Sequence, residues 1–420
     1  MTTRPHLRQS GEIDPDPLVA TSLDCDVLVV GARAAGASTA LLLARAGLDV
    51  LVIDRSRYGV DTVSTHALMR GAVVQLRRWD LLDGLVAAGT PPIRQATFYD
   101  SLGSTTIDLR AGDALYAPRR TVLDPMLVDA AHNAGARIHY GLTAVDVLRD
   151  RTGRVRGLRA TNRRGEPVEI RARLVVGADG YHSAIARAVA APVERVGVGA
   201  ASYMYRYWSG VANEGYESMF TTSATAGLIP TNDGLTCVFV GGAPERFERR
   251  ETDLYANLLR EANPTIAERV LSGSQVGATR RFMARPGRML RPHGPGWALV
   301  GDAGYWKDPI TAHGLTDALR DAELLARATL TAFDGQTVDS ATHDESMTWY
   351  HRERDRLSHE LFDITDRIAR GAWTDDEIGG ILRALSRSMN SEVETLTQLG
   401  PWPPQSHLDD HRAALATVAP

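Results

Sequence analysis

Apolar residues fall along the chain in short unbroken runs that end at glycine. DCDVLVV (24–30) runs into GARAAG (31–36), and LVVGADG (174–180) and WALVGDAG (297–304) repeat the pattern. Such runs have strand length, and their lack of alternation marks strands buried on both faces. After the first run, ASTALLLARAG (37–47) is rich in helix formers and ends at Gly47, a helix stop. DVLVID (49–54) follows at once as a second strand. This strand–helix–strand unit predicts a parallel pair joined by a right-handed crossover.

Other segments read less regularly. Residues 66–90 predict helix and turn, and 93–110 predict strands at 97–99 and 104–109 about Gly103. A helix over 121–134 stops at Gly135; ARIHYG, TAVDVLRD and VRGLRATN follow as strands, the last two joined at Thr152-Gly153. Residues 200–242 are strand-like with a turn at Asn232-Asp233-Gly234. Helices are expected at 251–271, 314–333, 342–370 and 375–398, and loop with a short helix at 400–420. The spacing predicts a doubly wound α/β nucleotide domain assembled from 24–92, 111–195 and 290–335. A β-rich substrate domain (93–110 and 196–289) is inserted, and 336–420 form a helical C-terminal region. The polar, proline-containing residues 1–23 read as a disordered arm without the apolar core of a signal peptide.

Composition narrows the function. Apolar residues make up 44% and charged residues 23%, which excludes a disordered chain. The net charge of −4 gives no case for a nucleic-acid partner, and no stretch has the ~18 apolar residues of a membrane span. Two cysteines, Cys25 and Cys237, are too few and too far apart for a disulfide framework and fit a reducing cytoplasm. Lys307 is the only lysine. No His/Cys/Asp group has metal-ligand spacing, and no Gly-x-Ser-x-Gly elbow is present.

Three motifs carry chemistry. Gly31-Ala32-Arg33-Ala34-Ala35-Gly36 places glycines where a backbone must approach a pyrophosphate at a helix N-terminus. Its middle glycine is replaced by Arg33, which either faces solvent or lies along the phosphates. Asp54, at the end of the second strand and followed by Arg55, is placed to accept from ribose hydroxyls. The second motif is Gly177-Ala178-Asp179-Gly180, with Ser183 and Arg187 beyond. The third is Gly301-Asp302-Ala303-Gly304, continuing into Asp308-Pro309-Ile310-Thr311-Ala312-His313-Gly314-Leu315-Thr316.

Taken together and in this order, over roughly 24–335, these motifs resemble the single-component FAD monooxygenases typified by p-hydroxybenzoate hydroxylase. Their wider relatives include flavin-dependent halogenases and geranylgeranyl reductases. The resemblance implies a glutathione-reductase-type FAD domain holding FAD non-covalently. Gly31, Arg33, Ala35, Gly36, Asp54 and Arg55 would bind its ADP half, with Thr65 and Val145 as further contacts. Arg120 would lie beside the phosphates and ribityl chain, Asp179 near the pyrophosphate and the NAD(P)H path, and Gly301 and Asp302 at the ribityl chain. Pro309, Gly314, Leu315 and Thr316 would pass the isoalloxazine. There, free N–H groups of a helix N-terminus would stabilise the negative charge that a reduced flavin carries near N1 and C2. The implied activity uses NADPH or NADH and O2, through a flavin C4a-hydroperoxide, to hydroxylate or epoxidise an aromatic or polyketide-like molecule. The alternative is double-bond reduction of the geranylgeranyl reductase kind. A halogenase fits less well: the chain lacks a Trp-x-Trp-x-Ile-Pro segment, and Lys307 sits in the Gly-Asp loop. Departures from the family include Tyr305 for a histidine, Ala312 for a glycine, Thr316 for an asparagine, and Arg187 one place late.

Near this flavin, His66, His313 and Tyr305 are candidates for proton handling, or else structural hydrogen-bonding groups. Tyr203, Tyr205 and Tyr207 alternate and so share one strand face, which either packs or roofs a substrate; Trp306 borders the same cavity. The expected assembly is a monomer or homodimer, with the C-terminal helices either capping the core or forming a dimer contact.

Overall fold

The computed structural model describes residues 22–404 except 101–102, 110–112, 214, 249–250 and 334–339. Most of the expected arm and of the C-terminal tail therefore lies outside the described residues. Ser22 and Leu23, assigned to the arm by sequence, instead open the first strand, Ser22–Val30.

Eight strands form the first sheet. Its parallel part runs Trp297–Leu299, Pro167–Gly177, Ser22–Val30, Val50–Asp54 and Arg137–Tyr140. Val27 sits between Val50 and Leu174, so the unbroken apolar runs lie side by side at the centre. Pro167–Gly177 extends well before the predicted 174–180. Its first six residues alternate exposed and buried because they pair on one side with the antiparallel Val155–Thr161; only the later residues are buried throughout. The crossover helix Ala34–Arg45 and the long helix Gly314–Ala332 pack together on one face of this sheet.

The second sheet has seven strands in the order Ser274–Phe282, Ser202–Ser209, Thr236–Gly242, Ala224–Pro230, Tyr216–Phe220, Gln95–Asp100 and Gly103–Asp108. Period two sorts its side chains as expected. Tyr203, Tyr205 and Tyr207 share one core with Phe239 and Ile310, while Met204 and Trp208 face helices Leu254–Ala262 and Pro264–Leu271. Those helices were expected as one. Proline at the start of the second, with the Asn263 side chain accepting from the Ile266 N–H at 3.1 Å, breaks the run in two.

Helices Ser340–Ala369 and Asp375–Gln398 close over the tyrosine face of this second sheet. Leu361, Ile368, Ile378 and Ile381 are buried in the same core as the tyrosines. Of the two roles left open for these helices, capping is the one seen. Among the described residues no helix is long and apolar enough to cross a membrane.

Candidate functional site

Ligands of doubly wound sheets bind outside the carboxyl ends of the strands. Here a cleft of about 730 Å3 opens there, beyond Val30, Ile53 and Ala178, and continues to the tyrosine face of the second sheet. The glycine loop forms its floor. Gly31 has φ +108°, and a Cβ on it would sit 2.5 Å from the Ala178 carbonyl oxygen; one on Gly36 would sit 1.8 Å from the Gly31 oxygen. Loop, helix and third strand are thus in contact with no room for a side chain. Arg33 has φ −95°, ordinary extended backbone, so the middle position needs no glycine. Its side chain meets Asp124 at 3.3 Å on the cleft wall.

Asp54 accepts from the Ala32 N–H at 2.7 Å and from the Ser56 N–H and hydroxyl at 2.7 and 2.6 Å, and still faces the cleft beside Arg55. Arg120 is held by two bonds of 2.9 Å to Asp124, leaving guanidinium surface toward the cleft. Asp179 caps the following helix, accepting from the Ala184 N–H at 2.6 Å, while its other oxygen, Oδ1, is buried without a partner. Desolvation raises its pKa. Such an orphaned acceptor is rare in a folded protein and fits a site whose ligand supplies a donor.

Ala35, Thr65, Asp302, Pro309, Gly314 and Leu315 also line the cleft. Burial pushes Asp302 up to about 6 despite the nearby Lys307 and Arg120. The helix from Gly314 presents its first-turn N–H groups to the cleft, a positive end aimed where an anionic ring would lie. A dinucleotide with a flavin ring fits this sequence of glycine cradle, orphan acceptor, acid and helix end.

One part of the cleft is aromatic. Tyr203, Tyr205, Phe239, Phe282, Tyr305 and Trp306 line it. The tyrosine hydroxyls are already engaged. Tyr203 donates to Asp308 at 2.5 Å, Tyr205 accepts from the Ser64 N–H at 3.3 Å, and that of Tyr305 points back to the Ser358 carbonyl at 3.4 Å. Asp308, quoted in the third motif but given no role there, also accepts from the Ala201 and Ile310 N–H groups and so ties the loop over 308–313 to the second sheet. His66 stands where the two halves meet. It is buried, has φ +67°, shares a 2.5 Å hydrogen bond with Tyr207 through Nε2, and leaves Nδ1 unpartnered. Burial, then Arg120 and Arg119, push its pKa down to about 3, so the ring is neutral.

Several expected site residues lie off the wall. Gly36, Gly301 and Thr316 sit just behind it as packing positions; Thr316 accepts from the Met69 N–H at 3.1 Å. Tyr207 reaches the cleft only through His66. Val145 has an exposed side chain, and its neighbours Thr143 and Ala144 line the cleft instead. His313 turns away from the cleft, with Nδ1 3.1 Å from Asp317 and Nε2 2.9 Å from Glu392 of the C-terminal helix. Carboxylates on both sides of the ring hold it there, and proton transfer within the cleft does not fall to it.

Buried neutral histidines make stability depend on pH. Burial pushes His66 down to about 3, and His293 and His343 down to about 4. Between these values and about 6.5 the unfolded chain binds protons that the folded chain refuses, so their contribution falls as pH falls. His343→Gln, far from the cleft, is expected to flatten the dependence of unfolding free energy on pH between 4.5 and 6 by about 1.4 kcal/mol per pH unit. Urea titrations at several pH values check this; an unchanged slope contradicts it.

Among the described residues, distant segments also bring together two groups with metal-ligand geometry that spacing did not show, Glu194–His351–Asp355 and His313–Asp317–Glu392. Arg291 and Arg354 already neutralise the first, and Arg320 and Lys307 the second.

Comparison with known proteins agrees with this geometry. Residues 24–365 match the FAD binding domain family. The chain is 27% identical to the digeranylgeranylglycerophospholipid reductase of Methanothrix thermoacetophila, over 88% of this chain and 93% of that protein. It is 27% identical to the menaquinone reductase of Mycolicibacterium smegmatis, over 72% and 75% respectively. Among solved structures, a triple mutant of the flavin-dependent brominase Bmp2 superposes with a TM-score of 0.76 at 18% identity, covering 94% of this chain and 99% of that one. PqsL, a probable FAD-dependent monooxygenase from Pseudomonas aeruginosa, gives 0.70 at 19% identity, covering 86% and 100%. Those two show a shared fold. With the cleft, the motifs and the family match in agreement, the chain belongs to the FAD binding domain family and is an FAD-dependent oxidoreductase.

Proposed function

We propose that this oxidoreductase takes electrons from NADPH or NADH and, with O2, hydroxylates or epoxidises an apolar aromatic or polyketide-like molecule. The aromatic wall carries this reading. Its hydroxyls are bonded within the protein, so ring faces meet the ligand. FAD bound along the glycine loop supplies the hydride acceptance and oxygen activation. The chain's own residues then orient and enclose. The helix end at Gly314 balances negative charge, the second sheet and the C-terminal helices exclude water, and neutral His66 keeps Nδ1 without a protein partner beside the aromatic wall.

A second reading has its own support. Likeness to the digeranylgeranylglycerophospholipid reductase extends over nearly the whole of both chains. It favours reduction of a carbon–carbon double bond in an unsaturated apolar molecule, without O2. Incubating the FAD-loaded protein with NADPH and a panel of polycyclic phenols and isoprenoids, in air and under argon, separates the two. A product gaining one oxygen atom only in air supports the oxygenase. A product gaining two hydrogens in both atmospheres replaces it with the reductase, and no product with any compound overturns both.

The nicotinamide partner rests on a cationic patch at the cleft edge. Arg285 contacts His182 Nε2 at 2.7 Å, Arg187 donates to the His182 carbonyl at 2.7 Å, and Arg288 donates to the Tyr181 carbonyl. Desolvation, then repulsion from Arg285, Arg288, Arg187 and Arg55, lowers the His182 pKa. Among the described residues none of these four arginines has a carboxylate partner. Such a patch suits the phosphates of a nucleotide. Arg285→Ala is expected to raise the KM for NADPH about tenfold with kcat nearly unchanged. Steady-state kinetics check this; a fall in kcat at constant KM contradicts it.

A further inference from the structure

Lys307 is the chain's only lysine among 420 residues, where every other basic side chain besides histidine is arginine. It is 7% exposed and stands on the cleft wall close to Asp302 and the start of the helix Gly314–Ala332. An ammonium in such a place carries a large desolvation cost unless its charge is used. Arginine would keep its proton under all conditions; lysine, when buried, can release it.

The bonding around it is asymmetric. Lys307 has one carboxylate partner, Asp317, and lies over the Tyr305 ring at 4.6 Å. Asp317 has three cationic or donor partners: Lys307, Arg320 at 3.0 Å and His313 at 3.1 Å. Arg320 in turn bonds Asp321 at 2.8 Å and Glu392 at 3.0 Å, and Glu392 also meets His313. If Lys307 leaves, every carboxylate in the cluster keeps a partner. Of the two cations in the cluster, the ammonium is the detachable one.

Charge arithmetic gives it a direction. Asp317, Asp321 and Glu392 carry three negative charges against Arg320, with His313 neutral, an excess of two negative charges when Lys307 is the amine and of one when it is the ammonium; Asp302 faces the same cleft. Burial, then Arg320, push Lys307 down to about 7, against the opposing pull of Glu392, Asp302 and Asp321. Burial also lowers the His313 pKa, which makes it a poor proton acceptor. A negative charge arriving in the cleft is therefore opposed by the cluster unless a proton enters with it. Asp302 and Asp308 on the same wall are both held up to about 6 by burial, and Lys307 is the group there whose protonation adds a positive charge.

Resting on the reading of the cleft as an FAD site, we propose that Lys307 is a charge-compensating residue that swings from Asp317 toward the reduced, anionic cofactor and binds a proton as it does so. For the balance, the reductant supplies two electrons and one proton as a hydride equivalent, and Lys307 takes a proton from solvent only in those molecules where it stood as the neutral amine. Net uptake is therefore below one proton per reduction and rises with pH through the Lys307 titration.

A single lysine makes the test direct. Protein loaded with FAD and labelled with 13C at lysine Cε gives one side-chain resonance, followed against pH before and after anaerobic reduction with dithionite. The proposal expects the ammonium form to persist to a pH at least one unit higher in the reduced state, a tenfold change in proton affinity. The same titration in both states overturns it. A merely structural ion pair with Asp317 would give that second result. Lys307→Met offers an independent readout by redox titration. If it holds FAD, the reduction equilibrium is expected to move at least tenfold toward the oxidised form, about 30 mV for a two-electron couple. Lys307→Arg is expected to keep the potential and lose the redox-linked proton uptake. An unchanged potential in the Met variant overturns the proposal. A wild-type protein that takes up no FAD overturns the cofactor reading and this proposal with it. One that holds FAD while the lysine resonance ignores its redox state overturns this proposal alone.

Discussion

Arg320→Met is expected to destabilise the protein by about 3–5 kcal/mol, the largest stability effect of any single substitution considered. Arg320 is wholly buried and binds Asp317, Asp321 and Glu392 together, joining the cleft helix to the C-terminal helix. Methionine has nearly the right volume, so little of the loss comes from packing. What remains is three buried carboxylates facing one lysine. Those carboxylates hold the guanidinium in its charged form against desolvation, which raises its pKa. Denaturant unfolding of both proteins at one pH checks the magnitude. A loss below about 1 kcal/mol would mean that the cluster reorganises or hydrates, as surface ion pairs do.

Gly31→Ala is expected to cost about a hundredfold or more in FAD affinity. The backbone at Gly31 has φ +108°, and the new Cβ would meet the Ala178 carbonyl oxygen at 2.5 Å. The atoms it would meet are all backbone, with no flexible side chain to give way, so the loop itself must move. The loop is the surface that a pyrophosphate approaches, and a shift of a few tenths of an ångström misaligns the N–H groups at the helix start. Fluorescence titration with FAD measures the loss. An affinity within threefold of wild type would show that the cofactor does not lie on this loop.

The parallel sheet was legible because its central strands are buried on both faces and cannot hide their continuous apolar runs. Val27, Val52 and Val175 are fully buried, and each lies in a run visible from the sequence alone. The glycine loop was legible for its first and last glycines, where contact leaves no room. The middle position looked like a defect and is not one, because φ at Arg33 is ordinary. Tyrosine alternation predicted a shared face correctly, since period two is a property of the strand itself.

Side-chain direction inside loops was not legible. His313 lies one residue before the helix that faces the cleft, yet its ring turns to Asp317 and to Glu392, 79 residues further along the chain. Nothing local says which way it points. The cationic patch likewise joins His182 to Arg285 and Arg288 across a second domain's worth of sequence. Asp308 stood in the third motif with no role of its own, and its bonds to Ala201 and Tyr203 exist only because two sheets meet there. Pairings made by the tertiary fold leave no trace in spacing.

The central claim is that nicotinamide-derived electrons enter this cleft and that a ligand on the aromatic wall controls their use. It is tested most directly by mixing the FAD-loaded protein anaerobically with NADPH in a stopped-flow instrument and following flavin absorbance, with and without a polycyclic aromatic ligand. The account expects bleaching by NADPH that the ligand accelerates and that Arg285→Ala slows at low NADPH. A flavin that dithionite bleaches but NADPH and NADH leave untouched, ligand present or absent, would contradict it.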